Sequence, residues 1–382
     1  RVYVCHTFYH VYVACLKELH IRRKREAQTA EPSTQKTGFL QKEGETEEKK
    51  EGAGTAPLVL STMSNRFGDL FSRAKASGLF QEVVRFEEKE AGFFPELAPL
   101  KRDTGNLLHN LWNRIRFCRK LAALEAPYVP IDFKHYQEIY VFCDSDPIGY
   151  FLNANKIRYH ALEDGLNCIA ANDTAHYDNR GHFALKTFLA KLGLIFIQNG
   201  YAKYCIDMEV NDLSLLKYSF HKYVEVPRKD LTDALTQEDK KLLLRIFIAN
   251  DTDLKKLLMP QETGPRVLIL TEPLCDPETR KRLFQDVVNR YGRINGKKAQ
   301  IMIKQHPRDL VDYREEFPDA LLFGADFPME MLNLIPGLQF DRIVSVYTML
   351  DALTCGKEKV FLGDDFMDKY EAPEIHRTNE AI

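Results

Sequence analysis

Several things are missing from this chain, and each absence excludes a class of protein. No apolar run reaches the ~18 residues that span a bilayer, and no basic-then-apolar leader opens the sequence. None of the eight cysteines stands in a CxxC pair. The eleven histidines form no HExxH or HxH pair, so no zinc site is expected on either set. The thiols read as reduced and mostly buried, as in an intracellular protein. Neither GxGxxG nor GxxxxGK followed by Ser or Thr occurs, and no repeat recurs at a solenoid period. Neither sign of charge is in excess: 53 basic and 55 acidic residues leave a formal net charge of −2. That balance gives no general case for nucleic-acid binding. At 45% hydrophobic and 28% charged, the chain is neither wholly disordered nor collagen-like.

What is present is alternation. The 382 residues suffice for two domains of ordinary size. Residues 1–5 read as a buried strand and 8–20 as a helix. Residues 27–56, almost free of large apolar side chains, are expected to be a flexible insertion. Strand-like runs follow at 57–62, 82–86, 138–143 and 158–162, with helical patterns at 65–78, 106–124 and 147–156 between them. Residues 226–265 read as a polar, helical connection. Alternation then resumes, with strands at 266–270, 299–304, 320–323, 342–346 and 360–362 and helices at 277–291, 328–334 and 347–354. Strand–helix alternation means parallel sheets covered by helices. The fold class is therefore α/β, with an N-terminal Rossmann-like domain over 1–235 and a C-terminal one over 236–382. Two such domains with a cleft between them make the GT-B architecture, in which ligands sit beyond the carboxyl ends of the strands.

Polar residues at those strand ends carry the chemical signal. Glu163-Asp164-Gly165 ends an apolar strand. Adjacent carboxylates repel, which raises one pKa and suits general-base work on a hydroxyl; the plain alternative is an Asp-Gly turn. Lys304-Gln305-His306-Pro307 ends another strand, and a rigidly held His306 can stabilise or protonate a phosphate leaving group. Ser345-Val346-Tyr347-Thr348 passes from a strand into an expected helix, whose first N–H groups would bind phosphate. Thr271-Glu272-Pro273 is a further strand-end cluster, suited to loop contacts with a nucleotide. Asp144-Ser145-Asp146 fits a DxD pattern formally, but its place before Pro147 favours a structural turn over a metal site.

The order acidic-acidic-Gly, His-Pro, strand-end hydroxyls resembles the bacterial sialyltransferases, which carry (D/E)(D/E)G, HP and SS motifs. The LILTEPL run and the FPMEML segment agree. The layout over residues 138–362 is most similar to glycosyltransferase family 52, the lipooligosaccharide sialyltransferases, with capsular polysialyltransferases as relatives. The resemblance implies a bacterial GT-B enzyme that moves sialic acid from CMP-sialic acid to a glycan hydroxyl. It implies inversion and no metal or other cofactor. On that resemblance Glu163 or Asp164 is the base, with Glu163 preferred, and His306 is the acid or electrostatic partner at the phosphate. Glu330 holds the ribose. Thr271, Glu272, Pro307, Ser345, Tyr347 and Thr348 complete the nucleotide site. Tyr347-Thr348 stands where the family has Ser-Ser, a departure that bears on the identity of the donor.

Two alternatives follow: a GT-B transferase with a UDP-hexose donor, or a degenerate GT-B protein that binds glycans without catalysis. The expected partners are the donor and a surface glycan, with no nucleic acid, and a homodimer is permitted. The expected location is cytoplasmic, with Arg22–Arg25 and Arg114–Lys120 available to an anionic membrane face.

Overall fold

The computed structural model describes residues 1–30, 56–165, 168–169, 173–248 and 264–376. Chain contacts divide it into two compact units. One comprises Arg1–Phe67 with Ala74–Asp239, the other Gly68–Arg73 with Lys240–Ile382.

The first unit is built on a seven-stranded sheet in the order β3-β2-β1-β4-β5-β6-β7. Its strands are β1 (Val2–Cys5), β2 (Leu58–Ser61), β3 (Val83–Phe86), β4 (Ile139–Phe142), β5 (Tyr159–Leu162), β6 (Cys205–Val210) and β7 (Tyr223–Glu225), and every pairing is parallel. All four residues of β1, β2 and β4 are buried, as strands covered on both faces must be. Strand order reverses between β1 and β4, so the loops leaving them diverge and open a crevice at their carboxyl ends.

The second unit has a five-stranded parallel sheet in the order β12-β11-β8-β13-β14. These strands are β8 (Arg266–Leu270), β11 (Gln300–Lys304), β12 (Leu321–Phe323), β13 (Phe340–Ser345) and β14 (Gly356–Phe361). A short antiparallel pair, β9 (Arg293–Ile294) with β10 (Lys297–Lys298), precedes β11. The order reverses here between β8 and β13.

The expected strands are present, while several helices differ from the sequence pattern. Helix α1 covers Phe8–Ala30 rather than stopping near residue 20. The basic IRRKRE run continues it because its cations find partners: Arg22 donates to the Gly78 carbonyl oxygen and Arg23 pairs with Asp239. The flexible insertion expected over 27–56 lies outside the described residues, except for its first four residues in α1 and Ala56. Helix α2 (Leu70–Ala76) starts later than the pattern suggests. After α3 (Ala98–Lys101) comes α4 (Leu107–Glu125), where the Asn106 side chain accepts from the His109 N–H. On α4 Arg114 turns inward and donates to the Phe196 carbonyl oxygen, which removes it from the solvated face. Arg116, Arg119 and Lys120 stay exposed. Helix α5 (Pro147–Ala154) lies under the strand ends. Residues 329–334 form a 3-10 helix.

One expected helix is absent. Residues 347–354 form bends and a turn, not a helix. Leu350 and Leu353 are buried there, and the leading N–H groups bond to a side chain, as described below.

Among the described residues no helix is long and apolar enough to cross a membrane. All eight cysteines are free.

Close packing beneath the first crevice gives a test. A Cβ on Gly149 would lie 1.9 Å from the Asp144 carbonyl oxygen and 2.8 Å from the Phe196 ring. Gly149→Ala should therefore cost about 1–3 kcal/mol through overpacking. Urea unfolding read by circular dichroism measures this; an unchanged midpoint would contradict the packing described.

Candidate active site

In the first unit the polar residues gather where β1, β4 and β5 end. The chain leaves β1 through His6-Thr7 and enters α1. Thr7 caps this helix: its Oγ1 accepts from the His10 N–H at 3.2 Å. His10 returns the contact, its Nδ1 accepting from the N–H groups of Thr7 (3.2 Å) and His6 (3.0 Å). This is a capping box with histidine where Glu or Gln is usual. The His10 ring stacks on Phe142, with centroids 4.5 Å apart, and its Nε2 contacts Asp164 Oδ1.

Beside it, Glu88 is saturated. It accepts from His6 Nε2 (2.8 Å), Ser61 Oγ (2.6 Å) and the Ile148 N–H (2.8 Å). Burial opposes charge on His6, but the carboxylates of Glu88 and Asp146 outweigh it and raise its pKa from 6.5 to about 9. These carboxylates favour the imidazolium form of His6 in the protein interior. Asp146 precedes the first residue of α5 without a side-chain capping bond and lies 3.4 Å from His6; burial raises its carboxyl against the pull of that ring.

The two adjacent carboxylates at the end of β5 differ in kind. Glu163 is 1% exposed, and neither of its oxygens has a hydrogen-bond donor among the described residues. Burial raises its carboxyl. The Asp164 side chain is 41% exposed. Its partial burial would raise its carboxyl too, but contacts with His10 and the Cys143 thiol prevail and hold it below the usual range.

Metal binding is disfavoured here by the donor chemistry. His6, His10 and Cys143 lie close enough to share an ion. Yet His10 Nδ1 already accepts two N–H groups, so the proton of the neutral ring sits on Nε2 and leaves no lone pair facing Cys143. A ligating histidine normally does the reverse and donates its second N–H outward. Asp144, from the DxD-like triplet, is buried and committed to the Asn199 N–H and the Tyr159 hydroxyl, each at 3.0 Å.

In the second unit the strand ends of β8, β11 and β13 supply the other predicted residues. His306 Nδ1 accepts from the Arg308 N–H at 3.0 Å, which places the proton of the neutral ring on Nε2. Burial, then Arg308 and Lys304, lower its pKa to about 4. Pro307 follows it in the turn. Thr271 Oγ1 accepts from the His306 N–H at 3.3 Å. Lys304 is buried, donates to the carbonyl oxygens of Gln305 and Gly324 at 2.8 Å each, and lies over the Phe327 ring. Burial lowers its pKa to about 7. Burial raises Glu330, which faces the electrostatic influence of Lys304.

The expected phosphate seat is arranged differently. Glu272 is buried, and its carboxylate accepts from the N–H groups of Val346 (3.2 Å), Tyr347 (3.0 Å) and Thr348 (2.8 Å). A helix starting here would also have left these N–H groups free, so the buried carboxylate occupies the seat expected for an anion. Ser345 Oγ donates to the Thr348 carbonyl oxygen at 2.7 Å, and the Tyr347 hydroxyl donates to Asp364 at 2.6 Å.

Thus Glu163 and Asp164 sit together in one unit, and His306, Thr271, Glu272, Ser345, Tyr347 and Thr348 around one switch point in the other. Sequence patterns missed His6, His10, Glu88 and Cys143. A Thr-x-x-His following a strand was the available signal for the first helix cap.

Comparison with known proteins agrees with this architecture. The family model for glycosyltransferase family 52 matches residues 118–361, more than half of the chain. An uncharacterized protein of Haemophilus influenzae is 28% identical over 144 residues, 36% of this chain, and the match spans only 42% of that relative's length. A 2,6-sialyltransferase from Photobacterium sp. JT-ISH-224, solved with CMP and lactose, superposes with a TM-score of 0.53 at 11% identity, covering 100% of this chain and 76% of that one. A sialyltransferase from Photobacterium damsela gives 0.47 at 12% identity, covering 94% of this chain and 73% of that one. The expected GT-B class, two Rossmann-like α/β units, is met.

The buried imidazolium gives a test. Because the His6 pKa rises on folding, its stabilising contribution is complete below pH 6.5 and is lost as pH rises through about 9. Glu88→Gln should flatten that part of the stability–pH curve. Urea midpoints of both proteins between pH 6 and 10 measure it, and parallel curves would exclude a charged His6.

Proposed function

The chain belongs to glycosyltransferase family 52, and from that premise we propose that it transfers sialic acid, or a related keto-sugar, from its CMP donor to a hydroxyl of a glycan. The observation that carries the reading is Asp164: an ionised, solvent-reachable carboxylate at the end of β5, next to the switch-point strand β4, beside a hidden and protonation-prone Glu163. Asp164, rather than Glu163, is then the base. A base must reach the proton it removes, and a fully buried carboxylate cannot.

The chemistry follows from these groups. Asp164 takes the proton of the acceptor hydroxyl as its oxygen bonds to the anomeric carbon. The bond from that carbon to the CMP phosphate breaks on the opposite face, which inverts the centre. Departure from a tertiary anomeric carbon is dissociative, so a weakly basic carboxylate suffices. The larger demand is on the leaving phosphate.

His306 meets that demand with an Nε2–H whose tautomer is set by the Arg308 N–H. Glu330 would accept from the ribose hydroxyls. The N–H groups of residues 346–348 already bind Glu272, so they do not carry the phosphate in this reading.

Metal independence is supported by the committed Asp144 carboxylate and the His10 tautomer. The CMP and lactose bound by the 2,6-sialyltransferase of like fold support the donor and acceptor classes.

A thermal-shift screen with CMP, UDP and GDP tests the donor. CMP alone should raise the melting temperature, and His306→Ala should reduce that rise. A response to UDP and none to CMP would overturn the donor assignment and leave the UDP-hexose alternative. Asp164→Asn should keep the CMP shift while losing about 100-fold or more in transfer rate.

A further inference from the structure

The helix cap at the start of α1 has a consequence for the chemistry. We propose that His10 is a positioning residue for transfer, its Nε2–H held by the cap so that it orients the Asp164 carboxylate toward the acceptor. The proposal rests on the reading of Asp164 as the base.

The argument begins with the cap. An α-helix leaves its first N–H groups unpaired, and a capping box satisfies them with the side chains of the N-cap and of the third helical residue. Thr7 and His10 fill those places. Glu or Gln would satisfy the cap equally well. Histidine differs in one respect: the ring that accepts on one side carries a second nitrogen on the other. Since Nδ1 accepts from two backbone N–H groups, the neutral ring must carry its proton on Nε2. Burial keeps the ring neutral by lowering its pKa, despite the nearby Asp164. Nε2 is therefore a donor, and it meets Asp164 Oδ1. Stacking on Phe142, with ring planes 13° apart, fixes the plane of the imidazole.

A glutamate at position 10 would satisfy the cap but bring another negative charge next to Asp164. The histidine instead transmits the rigidity of the helix start to a half-exposed carboxylate on a loop. Cys143 Sγ lies 4.0 Å from His10 Nε2, and its thiol gives Asp164 a second contact.

The other titratable groups facing Asp164 are His6 from the loop after β1, Asp146 from the loop after β4, and Glu163 and Cys168 from its own loop. Asp146 and Glu163 favour protonation of Asp164; His6 and His10 oppose it. Removing the His10 donor should therefore raise the pKa of Asp164, and on acidification activity that needs its ionised form should be lost already at a higher pH.

His10→Asn separates the cap from the donor. The asparagine side-chain oxygen can accept where Nδ1 does, as Asn does at helix starts, but no donor from position 10 then reaches Asp164. The experiment measures kcat, donor KM and the pH profile of transfer for the wild type, His10→Asn, His10→Ala and Asp164→Asn. Melting temperature and the CMP-induced shift report folding and donor binding.

His10→Asn should melt close to the wild type and keep donor KM within about twofold. Its kcat should fall roughly 10- to 100-fold, the size expected of a misplaced catalytic group, and the acid limb of its pH profile should move to higher pH. His10→Ala should show the same kinetic change with a lower melting temperature.

A wild-type kcat and pH profile in folded His10→Asn, with Asp164→Asn inactive, would overturn the His10 proposal and leave the base assignment standing. Full activity in Asp164→Asn would overturn both. Nitrogen-15 NMR gives a readout independent of turnover. One histidine should show an unprotonated Nδ1 and an Nε2–H resonance that disappears in His10→Asn and shifts in Asp164→Asn. A protonated Nδ1 on His10 would refute the proposal.

Discussion

Charge buried at the carboxyl end of the seven-stranded sheet constrains the first unit more than any other feature. Withdrawing an ion from water costs several kcal/mol unless it is paired and hydrogen-bonded. His6 and Glu88 are almost fully buried there, and each compensates the other. Glu88 also takes the Ser61 hydroxyl and the Ile148 N–H at the start of α5, so one carboxylate ties together the ends of β1 and β2 and a helix start. The positions of Asp146, Cys143 and Asp164 depend on that knot. Beside these buried groups Asp164 is both ionised and open to solvent.

The second unit solves a similar problem with backbone donors. Glu272 is buried, has no cationic partner among the described residues, and relies on consecutive N–H groups from the loop after β13. Lys304, also buried, relies on carbonyl oxygens and an aromatic face. Each unit therefore presents one histidine whose tautomer is set by a backbone N–H: His10 by its helix cap and His306 by the turn that follows it. In both cases the consequence is an Nε2–H donor whose direction the local fold decides.

The sheets and the strand-end motifs were legible from the chain because parallel strands buried on both faces appear as short apolar runs. RVYVC, EIYVFC and RVLIL are of this kind. The helices were less legible. Residues 347–354 carry helix-forming side chains but bend instead, burying Leu350 and Leu353 while the leading N–H groups hold Glu272, over seventy positions earlier. The apolar pattern of α1 ended near residue 20, but Gly78 and Asp239 supply partners for the cations that carry the helix further. Both differences are long-range satisfactions of polar groups that local periodicity does not register.

By itself the sequence determined the α/β class, the strand ends at which chemistry is possible, and the family. These depend on hydrophobic periodicity and on short motifs, which are local properties. Only the tertiary structure set a buried Glu163 apart from a half-exposed Asp164, filled the expected phosphate seat with Glu272, and joined Thr7-x-x-His10 to a carboxylate 154 positions away. The reason is electrostatic. Whether a group is charged, and where its proton sits, depends on burial and on partners that only folding brings together.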